Sequence, residues 1–357
     1  HGQCPSSPCA LPRIPHDPST PREPVRAHSQ PVRLKRASVV PDSSRHWRVS
    51  AKKRTSTRTV AMPNLVHHVH GKKRVRVART WREGDVHHFV EWMVQVSIES
   101  DMEHAYKTAS NKGMTTTDTT KNQCYVVAKK MAHRCSPEEY VMTLGQQFLD
   151  CYPLISAVEV SLEEKPWTRT SVKGQPHDHG YSMQGPCTRT AQAVVRRGAA
   201  AQVTSGMLEF KVLKTTQSGY EGFFTDKHTS LKETKERILA TSLNVQWTYG
   251  VGPVACYNKC YDQVTETLKE LFFGPPKGGV YSPSVQYTLY QMGTAVVERV
   301  AEVQQVTMNA PNIHFIPMNV PGMPPFNDDI YVATSEPHGD ITATVSKDQI
   351  FQAVSKL

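Results

Sequence analysis

The feature that most constrains this chain is an order of patterns that occurs twice: strict apolar–polar alternation, then helical spacing opened by serine and proline, then alternation again. Val90, Trp92, Val94, Val96 and Ile98 alternate with Glu91, Met93, Gln95, Ser97 and Glu99, the period-two signature of a strand with one covered face. Ser136-Pro137-Glu138-Glu139 then offers an N-cap, a proline at the first helical position and an acid three residues after the cap. It leads into Val141, Leu144 and Phe148 at helical spacing, and such a box satisfies backbone donors that a first helical turn leaves without partners. Val158, Val160 and Leu162 return to alternation. In the second half Leu243, Val245, Trp247 and Tyr249 predict a strand and residues 260–273 a helix. Ser282-Pro283-Ser284 predicts a second helix with proline in its first turn, and 313–318 and 341–345 predict further strands. The duplicated order divides near Gly198-Ala199-Ala200-Ala201. The expectation is an α+β chain of two antiparallel sheet units with helices on one face, spanning 62–200 and 201–357. Sheet edges left side by side need partners, which favours closure into a ring or barrel of subunits.

Charge is distributed unevenly. The chain of 357 residues has a net charge of +10, and its first 60 residues hold twelve Lys/Arg against three acids. Clusters such as Arg33-Leu34-Lys35-Arg36 and Lys52-Lys53-Arg54, among scattered Pro and Ser, have no apolar periodicity, so residues 1–61 read as a disordered basic extension. Both a targeting arm and a stretch outside the working protein stay open for it. Nucleic-acid binding through this arm ranks last, because Trp47 is its only large stacking aromatic. No run approaches the roughly 18 apolar residues of a membrane span, and no secretory apolar core opens the chain. The eight cysteines lack metal-site spacing: Cys256 and Cys260 stand four apart with no second Cys/His pair at finger-like distance. No metal is expected, and reduced structural thiols are.

Several separated segments together carry a resemblance. They are Gly71-Lys72 with Val75-Arg76-Val77, Thr117-Asp118-Thr119-Thr120-Lys121-Asn122, Val212-Leu213-Lys214-Thr215-Thr216-Gln217-Ser218, Tyr281-Ser282-Pro283-Ser284-Val285-Gln286 and Pro311-Asn312-Ile313-His314-Phe315. In this order, from about residue 68 onward, the chain resembles the urate oxidase (uricase) family. The resemblance implies tandem tunnelling-fold (T-fold) domains, a homotetramer around a tunnel, and active sites at subunit interfaces. It also implies oxidation of urate by dioxygen and water to 5-hydroxyisourate and hydrogen peroxide, a step of purine degradation that uses no cofactor. An electron-rich purine anion reduces oxygen itself, so the protein needs to supply deprotonation, positioning and electrostatics.

By this resemblance Lys72 and Thr117 match the family's catalytic pair, and His314 completes the proton relay. Arg237 and Gln286 match the urate clamp, Asp118 and Val285 offer backbone groups to the purine edge, and Asn312 matches the residue beside the dioxygen or water site. Without the resemblance, Lys72 belongs to a solvated Lys72-Lys73-Arg74 run and His314 is a core histidine. Arg237 has its own alternative: a helix-surface pair with Glu233 behind a capping box at Ser230-Leu231-Lys232-Glu233. Two departures stand out. Tyr220 occupies the place where the family ordinarily stacks a phenylalanine on the purine, so altered affinity or rate is expected. Cys260-Tyr261 replace a Thr-Trp pair and bear on packing and subunit contacts. The chain ends in Ser355-Lys356-Leu357, the peroxisomal address read by an import receptor. The competing expectation is a catalytically weakened relative recruited as a structural, cysteine cross-linked protein.

Overall fold

The computed structural model describes residues 63–347 except 325, 327 and 328. The basic extension 1–61 and the terminal Ser355-Lys356-Leu357 lie outside the described residues.

Two similar units share one antiparallel sheet. In the first, β1 (His70–Glu83) and β2 (Val86–Ser100) form a hairpin, followed by the short α1 (Glu103–Lys107), then α2 (Thr117–Lys130), α3 (Pro137–Cys151) and β3 (Ile155–Glu164). A separate hairpin of β4 (Trp167–Val172) and β5 (Gln175–Met183) precedes β6 (Thr188–Arg196). The second unit repeats the plan with β7 (Gln202–Lys214), β8 (Leu239–Tyr249), α4 (Tyr257–Phe273), α5 (Val285–Arg299), β9 (Val303–Pro317), β10 (Tyr331–Thr334) and β11 (Asp340–Ser346). The sheet runs β1-β2-β3-β6-β7-β8-β9, with β10 and β11 both pairing to β9. The alanine-rich stretch at 198–201 falls in the turn between β6 and β7, which are themselves paired, so the sheet passes through it without a break.

Each unit packs its helices on one face of its four strands. Trp92, Val94, Val96 and Ile98 meet Tyr140, Leu144 and Phe148 in one buried cluster, and Leu243, Val245 and Trp247 meet Val264, Leu268, Leu289 and Met292 in the other. The alternation found in the sequence is therefore the buried side of the sheet, as expected from period two. The repeat extends to details. Gly145 stands nine residues after the Ser136 cap of α3, and Gly293 nine after the Ser284 cap of α5. An added Cβ at either would come within 2.6 Å of a valine methyl, Val195 on β6 or Val345 on β11, so each helix crosses the last strand of its unit at the closest approach a side-chain-free residue permits.

The capping box at Ser136 is formed in full, with Pro137 at the helix start. The second proline is a correction. Helix α5 is capped by Ser284, whose hydroxyl accepts from the Tyr287 N–H, so Pro283 lies before the cap rather than in the first turn. A cap needs extended backbone and a side-chain acceptor, and Ser284 meets both conditions at the last position that leaves Val285 inside the helix.

A buried polar group joins the units. Glu138 on α3 is fully buried; its carboxylate accepts from Arg189 on β6 at 2.7 Å and from the Ser205 hydroxyl on β7 at 2.7 Å. Tyr249 at the end of β8 extends the set through Ser205 at 2.6 Å, and Arg189 reaches Asn258 on α4. Cys260 is buried beside this joint, and Tyr261 next to it lies under the Arg189 guanidinium and faces the Cys187 sulfur at 3.3 Å, which gives the Cys260-Tyr261 departure its packing consequence.

Candidate active site

The expected site residues fall into two groups. The first forms where β1 starts. One extra residue in β1 opposite β2, with Arg74 in the left-handed region (φ 60), shifts the register between Lys72 and Val75. Lys72 thereby pairs with Val96 and Val75 with Val94, so both share the helix-covered face; uninterrupted alternation would have sent them to opposite faces. Gly71 is required beside it, because a Cβ there would overlap the Val96 carbonyl oxygen. His70 contacts the Thr115 carbonyl at 3.1 Å and so fastens this end of β1 to the entry of α2. Burial lowers the pKa of His70, with the Thr115 contact opposing it.

Helix α2 is capped by Thr116, leaving Thr117 and Asp118 as its first two residues. Backbone N–H groups at that position have no partner within the helix and carry the positive end of its dipole. The Asp118 carboxylate is occupied by Lys121 at 2.6 Å and by the Asn122 amide at 3.0 Å. Lys121, with Lys72 as a weaker contributor, holds it below the usual carboxylate range. Lys72 is thus electrostatically coupled to the start of α2, where Thr117 sits exposed.

The second group forms where β7 ends. Tyr220 and Thr234 bridge across the long β7–β8 connection through bonds of 2.7 and 3.1 Å. The Arg237 N–H donates to the Ser218 carbonyl at 2.9 Å, its guanidinium lies 5.3 Å from the Tyr220 ring, and burial lowers its pKa. The helix alternative for Arg237 is overturned: residues 228–238 form no helix, and Glu233 instead accepts from the Gly222 N–H at 2.8 Å. With two glycines and the Tyr220–Thr234 bridge holding the loop extended, the Ser230 box has no helix to cap. The Tyr220 ring stacks on Phe223 at 4.9 Å and 12°.

Ser218 is bridged in parallel to Ser282, two residues before the α5 cap, so Val285 and Gln286 open α5 beside this loop. Gly219 has no room for a side chain, since a Cβ would come within 2.8 Å of the Thr234 carbonyl oxygen. Asn312 and His314 lie near the end of β9: the Asn312 N–H donates to the Gly339 carbonyl at 2.9 Å, Asn312 pairs with Thr241, and His314 pairs with Thr334 of β10.

The fold does not bring the two groups together within one chain. The ladder row through Lys72 continues through Val96, Val160, Ala193 and Val203, meeting β7 eleven residues before Lys214. At about 3.4 Å per residue and about 4.8 Å per strand, the groups are separated by roughly 35 Å along the sheet and roughly 19 Å across it. Lys72 and Thr117 therefore stand at one corner, and Arg237, Gln286 and His314 at the opposite one. A hollow of about 350 Å³ lies elsewhere: Gln95, Ser161, Gln192, Thr204, Gln246 and Thr307 line it on the helix-free face. Leu162, Ala191, Leu208 and Val245 line it too, and neither group touches it.

Sequence reasoning missed the residues that hold the second group together, Ser218, Phe223 and Ser282. Ser218 and Ser282 stood in motif segments, but their pairing joins positions 64 apart and has no local signal.

The sequence model of a family described as Uricase matches residues 68–194 and 203–342. A protein named Uricase from Arabidopsis thaliana is 44% identical over 292 residues, covering 78% of this chain and 94% of that protein. Uricase-2 isozyme 1 from Glycine max is 41% identical over 290 residues with the same coverage. Among solved structures, the uricase from Arthrobacter globiformis superposes with a TM-score of 0.73 at 28% identity, covering 81% of this chain and 96% of that one.

Proposed function

This chain belongs to the uricase family and is a urate oxidase with the tandem T-fold plan; on that premise we propose that it converts urate, dioxygen and water to 5-hydroxyisourate and hydrogen peroxide. The electrons balance without a cofactor: urate loses two, dioxygen gains two, and water supplies the hydroxyl oxygen. The domains in this reading are 62–200 and 201–357.

In this reading the purine anion lies on the Tyr220 ring. Arg237 directs two N–H donors to one edge, the Gln286 amide offers a donor and an acceptor, and the helix starts at Thr117–Asp118 and Val285 add backbone donors. Two helix N-termini suit an anionic ligand, because both present partial positive charge. Lys72 accepts the proton that the Thr117 hydroxyl takes from urate, His314 completes the relay, and Asn312 stands beside the oxygen or the attacking water. The observation that most supports the clamp is the convergence of Tyr220, Arg237 and the start of α5 on the Ser218–Ser282 bridge.

The separation of the two groups supports sites completed by a second copy. Among the described residues β1 pairs only with β2, and β11 only with β9, so both ends of the sheet carry unpaired backbone that neighbouring copies would cover. A homotetramer around a tunnel lined by the helix-free face satisfies this. Peroxisomal location through Ser355-Lys356-Leu357 and its import receptor fits a reaction that releases hydrogen peroxide. No described helix is long and apolar enough to cross a membrane.

The test is loss of urate ultraviolet absorbance by the purified protein, with oxygen uptake followed in parallel and Lys72→Met as control. Coupled consumption that disappears in the variant is expected. A folded protein that consumes neither would favour the recruited structural role.

A further inference from the structure

Lys214, the last residue of β7, is a cation that neither the relay nor the clamp uses. Its ammonium has three protons and three acceptors: the Ser282 hydroxyl at 2.7 Å, the Val280 carbonyl at 2.8 Å and the Phe272 carbonyl at 3.3 Å. It also stands 5.5 Å from the Phe272 ring centroid. Among the described residues no carboxylate takes part, and burial without a counter-charge pushes its pKa down to about 8. An ammonium held this way costs desolvation that an apolar side chain of similar length would avoid. Its effect therefore has to be sought in what it joins.

Through Ser282 it reaches the segments that carry the clamp. Ser282, gripped through its hydroxyl, also binds the preceding loop through its backbone: its N–H donates to the Gln217 carbonyl at 2.9 Å, and its carbonyl accepts from Gly219 at 3.0 Å. Between those two, Ser218 accepts the Arg237 N–H. Gln217 is held in the left-handed region (φ 60), a conformation that costs energy for a side-chain-bearing residue and persists only when its surroundings enforce it. The Thr288 hydroxyl donates to Ser282 from inside α5 at 2.9 Å, so the same serine also registers the helix that begins with Val285 and Gln286.

We propose that Lys214 is the positioning residue of the purine clamp, its ammonium locking the Tyr220–Arg237 loop to the start of α5 at the spacing urate requires. The proposal rests on Arg237 and Gln286 being that clamp. It assigns Lys214 no part in proton transfer, so its loss weakens urate binding and leaves the chemical step in place.

The experiment measures urate binding by the intact protein without oxygen, and turnover with oxygen, for the wild type, Lys214→Met and Arg237→Met. For Lys214→Met, Kd and KM rise about 10- to 100-fold, the scale of losing one hydrogen bond to a charged group, while kcat stays within about threefold. An unchanged Kd, whatever happens to thermal stability, overturns the proposal; so does a fall in kcat at unchanged Kd. If Lys214→Met does not fold, Ser282→Ala removes one acceptor from the same set, and an unchanged Kd there overturns the proposal equally. Arg237→Met separates the two readings. If it too leaves Kd unchanged, the clamp assignment itself is wrong; if it weakens binding while Lys214→Met does not, only the role of Lys214 falls.

Discussion

The two units are built alike and equipped differently. Each opens with a bulged strand, Lys72 to Val75 in β1 and Met207 to Phe210 in β7, with Arg74 or Glu209 left-handed at the extra position. Each continues through a second strand, two long helices of which the second crosses a strand at a glycine, and two closing strands that carry the helix-covered face. They differ where the first strand turns into the second. In the first unit Gly84-Asp85 close a tight hairpin, whereas in the second the connection runs from 215 to 238 and carries Tyr220 and Arg237. A duplicated scaffold thus differs between its copies at a connection whose lengthening costs little. The first copy keeps its loop short and contributes instead the bulge at Lys72 and the start of α2.

The largest effect is expected from inactivating one unit per chain. Lys72→Met and Arg237→Met are each expected to be inactive alone. Co-refolded in equal amounts, they should recover activity at about a quarter of the sites by random pairing, because one mixed site in two regains both intact groups. No recovery, with mixed oligomers demonstrated, would mean that both groups serve the same site from one chain.

The joint between the units comes next. Glu138→Ala leaves Arg189 buried without its carboxylate and should cost about 3–5 kcal/mol in denaturant unfolding. A cost under about 1 kcal/mol would make the units independent, despite their common sheet.

Smaller effects are expected at single side chains. Tyr220→Phe keeps the ring that stacks on Phe223 and removes a hydroxyl, so urate KM should shift by no more than about tenfold with the Tm unchanged. A total loss of activity would assign the hydroxyl a role in the reaction. The thiols give the mildest test. All six described cysteines are free; Cys151 and Cys256 are exposed, while burial pushes Cys124 and Cys135 up to about 12 and Cys260 to about 11. A thiol reagent applied to the native protein should label Cys151 and Cys256 first and the buried Cys124 and Cys260 only on unfolding. Exposed cysteines that fail to react until reduced would revive the cross-linked structural reading.

Much of the scaffold was legible because its signals are local. Trp92 to Ile98 and Leu243 to Trp247 alternate because one face is buried, and Ser136 caps because its box lies within four residues. The misreadings were local as well: Pro283 sits one step outside its helix, and Ser230-Leu231-Lys232-Glu233 looks like a cap in a segment held extended by the Tyr220–Thr234 bridge.

What the sequence by itself determined is the duplicated α+β plan, the strand faces and, by resemblance, the residue types expected at the site. Only the tertiary structure decided that Lys72 lies on the helix side, since a bulge is a relation between two strands. It likewise decided that Arg237 belongs to a strapped loop rather than a helix, and that Lys214 holds that loop through Ser282. The separation of Lys72 from Arg237 by the width and length of the sheet also emerged only there, because strand order and ladder register are set by pairings between residues far apart in the chain.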